Sequence, residues 1–106
     1  MNDLAVSDTG IEGQVMIGPI RPVERPGIMN QRPHQATVTV VDQNGQPVAQ
    51  VHSGTDGQFR IPLKPGTYIM RPESPGNYPR APQHQVVTVI QNRFTHVTLA
   101  YDSGIR

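Results

Sequence analysis

The stretch ATVTVVDQNGQPVA, Ala36 to Ala49, decides the fold. Ala36, Val38 and Val40 alternate with Thr37, Thr39 and Val41, the two-residue period of a strand with one apolar face. Asn44-Gly45 then supplies the pair best suited to a tight hairpin, because both residue types accept a positive φ. A returning strand is expected from Pro47 to about Ser53. Outward from this hairpin the same alternation recurs in short runs closed by Gly, Pro, Asn or Asp. Ile11, Gly13, Val15 and Ile17 alternate with Glu12, Gln14 and Met16. After Asp56-Gly57, Phe59, Ile61 and Leu63 share one side, and Pro62, which has no N–H, keeps that strand short or at an edge. Lys64-Pro65-Gly66 makes a tight turn with Gly66 at positive φ, leading into Thr67 to Arg71. Val87 and Val89, a turn at Gln91-Asn92-Arg93, and Val97, Leu99 and Tyr101 give a last hairpin. The sum is an all-β chain, a seven-stranded antiparallel Greek-key β-sandwich, with Val38, Val40, Phe59, Tyr68, Val97 and Leu99 in the core.

Composition agrees. Gly and Pro supply 21 of 106 residues, 16% are charged and 35% hydrophobic, which excludes a helical bundle and a collagen repeat. Eight Arg and one Lys are interleaved with eight carboxylates for a net charge of +1, so nucleic acid is not an expected partner. With no Cys, disulfides, zinc knuckles and a thiol nucleophile are excluded. No run approaches the roughly 18 apolar residues that span a bilayer. Residues 1–10 are polar and acidic, and are expected to be disordered or artificially added, with the folded domain at residues 11–106. Two proline-rich stretches interrupt the strands. Residues 18–33 and the segment from Pro72 to Pro82 are expected to be long structured loops, because proline fixes φ and withholds a ladder donor.

Three local signatures resemble one family. Asp42-Gln43-Asn44-Gly45-Gln46-Pro47-Val48-Ala49, then Asp56-Gly57-Gln58-Phe59, then Leu63-Lys64-Pro65-Gly66-Thr67-Tyr68 resemble, in order and spacing, the carboxypeptidase regulatory-like domains. The resemblance covers about residues 11–106 and implies a prealbumin-like (transthyretin-like) sandwich in which the first two turns close hairpins. Gly18-Pro19, Pro22-Val23-Glu24-Arg25-Pro26-Gly27 and the terminal Tyr101 to Arg106 look like a bacterial branch of secreted or lipid-anchored proteins. That implies an extracytoplasmic, periplasmic or cell-surface location. Members of that branch often carry a Cys before the Pro-Val and another nine positions on. Arg21 and Asn30 stand there instead, so the resemblance implies a loop without that covalent staple.

No chemistry-bearing motif displaces a structural reading. Asp42 and Asn44 lack the remaining oxygen ligands of a calcium loop and read as a turn. His34, His52, His84 and His96 have no metal-ligand spacing and read as surface histidines, with His52 and His96 facing outward; no metal and no cofactor is implied. There is no Gly-x-Ser-x-Gly elbow. The 5-hydroxyisourate hydrolases of the same fold end in Tyr-Arg-Gly-Ser, whereas this chain has Tyr101-Asp102-Ser103-Gly104. Lys64, in a turn, cannot serve as the strand lysine of a self-forming isopeptide.

Sugar-binding relatives of the sandwich stack glycans on exposed aromatic rings, and here only Tyr78, flanked by Asn77 and Arg80, offers one. Asn77, Tyr78 and Arg80 are therefore the candidate ligand contacts. The expected role is a non-enzymatic accessory or binding module of an exported bacterial protein, meeting a glycan or protein at the cell surface. A small transthyretin-like hydrolase working as an oligomer and a structural spacer are the alternatives.

Overall fold

A computed structural model describes residues 8–105, so residues 1–7, most of the expected N-terminal segment, lie outside the description. Eight strands and no helix occur among the described residues: β1 (Gly10–Gly18), β2 (Arg32–Pro33), β3 (Thr37–Val41), β4 (Pro47–His52), β5 (Gln58–Pro62), β6 (Gly66–Pro72), β7 (Gln85–Val89) and β8 (Phe94–Asp102). They form two four-stranded sheets packed as a sandwich.

In the first sheet β1 is central. One of its edges is shared, antiparallel, by β5 along Gly10 to Gln14 and by β2 at Met16 and Ile17. Its other edge pairs along its whole length with β8, from Gly10 opposite Phe94 to Gly18 opposite Asp102. The second sheet runs β4-β3-β6-β7, wholly antiparallel. Inward side chains of both sheets make one core: Ile11, Val15, Phe59, Ile61, Val97, Leu99 and Tyr101 meet Val38, Val40, Tyr68, Met70, Val87 and Val89. All six residues expected in the core are buried.

The hairpin at Asn44-Gly45 joins β3 to β4. The Asp42 carboxylate accepts the Asn44 and Gln46 N–H groups, so this carboxylate builds the turn.

Four details depart from the sequence expectation. Strand number rises to eight because Arg32–Pro33, inside an expected loop, pairs with β1; a proline is tolerated there because the two-residue strand sits at the sheet edge. The β1–β8 ladder is parallel. The turn at Gln91 to Arg93 closes no hairpin, since β7 and β8 lie in different sheets, and the Asp56-Gly57 turn likewise carries the chain from β4 across to β5. Alternation reports which face is buried. It is silent on which sheet a strand joins, and so cannot distinguish a hairpin from a crossover.

Gly13 sits where β1, β5 and β8 are pressed together. A Cβ there would lie 1.9 Å from the Val97 carbonyl oxygen and 2.9 Å from Phe59 Cζ. At Gly45 the φ of +81° favours glycine, but a Cβ would meet nothing within 4 Å. Gly13→Ala should therefore cost about 3 kcal/mol, the upper range of overpacking a core, while Gly45→Ala should cost only about 1 kcal/mol. Urea denaturation of the two variants checks the order. Equal losses would show that the sheet yields freely at Gly13.

Candidate functional site

The long loops meet at one end of the sandwich. The segment Pro72 to Pro82 leaves β6 and is braced at both ends. Glu73 N–H donates to the Thr37 carbonyl at 2.9 Å, and Arg80 exchanges both backbone hydrogen bonds with Asp102, at 2.8 and 2.9 Å. Inside the loop Ser74 Oγ donates to the Pro79 carbonyl and accepts from Ala81 N–H. The Tyr101 hydroxyl, reaching up from the core, donates to the Glu73 carbonyl. Proline stiffening and these tethers fix the loop in one shape.

The three residues singled out from sequence share this loop but not one pocket. Asn77 is exposed. The Tyr78 ring is 45% exposed and lies over Gly104, where a Cβ would stand 2.8 Å from Tyr78 Cδ1. The Arg80 guanidinium is 5.3 Å from the same ring centroid, a cation–π approach. Tyr78 and Arg80 thus form one half-open aromatic surface against the C-terminal segment.

The loop also borders a cleft of about 350 Å³ lined by His34, Thr37, Glu73, Ser74, Pro75 and Pro79. Sequence reasoning missed His34. It is half-buried, its ring 4.9 Å from that of Tyr101 and tilted by 55°. The expected surface histidine is therefore corrected to an interior-facing one. The signal was present: His34 continues the parity of Ala36, Val38 and Val40, the buried side of β3. Burial and, after it, the Arg32 charge hold the His34 imidazolium pKa below its ordinary value. Burial and the nearby Glu73 carboxylate push the Tyr101 phenol up to about 12. Ser74 Oγ spends its proton on Pro79, and the Glu73 carboxylate accepts from Thr39 Oγ1 at 2.9 Å, so neither is arranged with His34 as a nucleophile and base. The cleft offers a neutral imidazole, a carboxylate edge and proline rings, a surface suited to contact.

The loop at residues 18–33 is closed at its neck without a disulfide. Asn30 is buried; its Oδ1 accepts Ile20 N–H at 3.0 Å and Arg21 N–H at 2.9 Å, and its Nδ2 donates to the Arg21 carbonyl. Arg21 Nη1 donates to the Met29 carbonyl. The two positions that lack cysteines are thus joined by a carboxamide clamp. Ser103 ties the C-terminal segment to this neck through Gly18 and Pro19.

On the outer face of the first sheet a shallow hollow of about 450 Å³ is lined by Glu12, Gln14, Asp56, Gln58, Arg60 and His96. Glu12 stands directly opposite both Arg60 and His96, and Arg60 is stacked 3.8 Å above the Phe94 ring. His96 is outward, as expected. Among the described residues no group of His, Asp and Glu side chains is placed to hold a metal ion.

The family profile described as carboxypeptidase regulatory-like domain matches residues 30–100. No curated protein matches the chain.

The lowered His34 value has a sign. Below pH ~6.5 the unfolded chain takes up a proton that the folded chain resists, so stability falls as pH drops through that value and levels off below the folded pKa. Melting temperatures from pH 8 down to pH 5 should decline in the parent and decline less in His34→Gln. Superimposable profiles would remove His34 as the source.

Proposed function

Since the chain belongs to the carboxypeptidase regulatory-like domain family, a family of non-catalytic modules, we propose that it is a binding module of an exported bacterial protein, meeting a glycan or polypeptide at the cell surface. The observation that supports this is the braced, proline-rich loop from Pro72 to Pro82. It presents Tyr78 and Arg80 and also borders the His34 cleft. A loop already held in its bound shape loses little entropy on association, so a modest contact area is enough. Tyr78 offers a ring face for a sugar or a proline, Arg80 offers planar donors, and Asn77 offers both a donor and an acceptor.

A glycan array and a pull-down from cell-surface extract, each run with the parent and with Tyr78→Ala, test the reading. Tyr78→Ala should weaken the captured interaction about tenfold or more, as losing a stacking aromatic anchor does, with the melting temperature little changed because the ring is half exposed. Retention of a ligand undiminished by the substitution would move the contact off this loop. Failure of the parent to retain any ligand would overturn the binding role.

A further inference from the structure

We propose that the loop from Gly18 to Asn30 is a docking element for an anionic lipid surface. Its neck is closed by the Asn30 carboxamide and by the Ile20–Asn30 backbone hydrogen bond. Beyond the neck eight consecutive residues, Pro22 to Met29, are exposed. Within them a turn closed by Ile28 N–H on the Arg25 carbonyl, with Gly27 at φ +77°, fixes the tip.

The tip is apolar where a solvated loop is ordinarily polar. Met29 is 71% exposed, Val23 63% and Ile28 49%, and Ile20 is exposed at the base. Arginines accompany them: Arg21 and Arg25 against Glu24 give the loop a net charge of +1, and the exposed Arg32 just beyond its neck raises this to +2 over residues 18–33, while the whole chain carries +1. Basic charge is thus concentrated beside exposed aliphatic side chains on a protruding loop.

The cleft of about 420 Å³ beside the loop is lined by Glu24 and Asn30 but not by Val23, Ile28 or Met29, so the aliphatic tip faces open solvent. A fluid interface accommodates it. Aliphatic side chains enter the acyl boundary while guanidinium groups remain at the level of the phosphates. The loop lies almost wholly ahead of residues 30–100, which match the family profile. The proposal is independent of the Tyr78 surface, which uses a different loop.

Flotation of the full chain with vesicles of phosphatidylcholine alone, and with roughly one-third phosphatidylglycerol, tests it. The parent should float with the anionic vesicles, remain behind with the neutral ones, and detach as salt is raised. Each surface charge is worth roughly fivefold in partitioning, so Arg25→Glu, a change of two charges, should weaken binding about 25-fold. Met29→Ser should weaken it about tenfold by removing the most exposed apolar group. Both positions are exposed, so both variants should melt with the parent. Tyr78→Ala should float as the parent does. No flotation of the parent with anionic vesicles, or flotation undiminished in Arg25→Glu and Met29→Ser, would overturn the proposal. Capture of a soluble protein through Met29 by a parent that ignores both vesicles would assign the tip to a protein partner instead.

Discussion

Everything in this sandwich depends on β1 being hydrogen-bonded along both edges. One edge is divided between β5 and β2, and the other is taken in full by β8. No other strand of the first sheet touches more than one neighbour in the sheet. Gly13 marks how tight that arrangement is: the backbone of β8 and the ring of Phe59 close over the space a side chain would need. Ile11, Val15 and Ile17 are buried because they point toward the second sheet, and with Val97 and Leu99 they form the floor on which it rests.

The loop end follows from the same constraint. Placing β8 beside β1 brings the end of the last strand next to the exit of the first, so Ser103 reaches Gly18 and Pro19 while Asp102 holds Arg80. Three segments far apart in sequence are joined there by backbone hydrogen bonds, and in the two loop segments proline keeps the conformational freedom small. The polar demand at this junction is met by few groups: the Asn30 carboxamide at one neck, the Ser74 hydroxyl inside the second loop, and the Tyr101 phenol beneath it. Each fills a position where a backbone group would otherwise be left unpaired.

Much of the strand pattern was legible because a half-buried strand must alternate, and Val38, Phe59, Tyr68 and Leu99 do so plainly. The hairpin at Asn44-Gly45 was legible because Gly45 takes a φ of +81° that favours glycine and Asp42 is a residue type that accepts turn N–H groups. The pairing of β8 with β1 was not, since nothing local in Phe94 to Asp102 encodes a neighbour some eighty residues away. Arg32–Pro33 escaped for a different reason: two residues are too few to show a period. At the candidate site the prolines and Tyr78 could be read as an ordered loop with an available ring, but the Gly104 contact and the His34–Tyr101 pair arise from tertiary packing. His34 shows the limit most clearly. Its parity with Val38 placed it on the inner side, yet residue type alone suggested the surface. The Asn30 clamp was invisible because a carboxamide has many uses, and only the closed neck reveals this one.

The parallel ladder between β1 and β8 also decides how the domain bears load. A pull directed outward through the start of β1 and the end of β8 runs along both strands in opposite senses. It loads the nine residue pairs of the ladder in shear, all together, instead of peeling them apart one at a time. Hydrogen bonds opposed in this way resist as a group, and the Ser103 tether to Gly18 extends the resisting length by one further contact. The first and last strands therefore act as a mechanical clasp, and the sandwich stays closed under tension that would unzip a terminal hairpin.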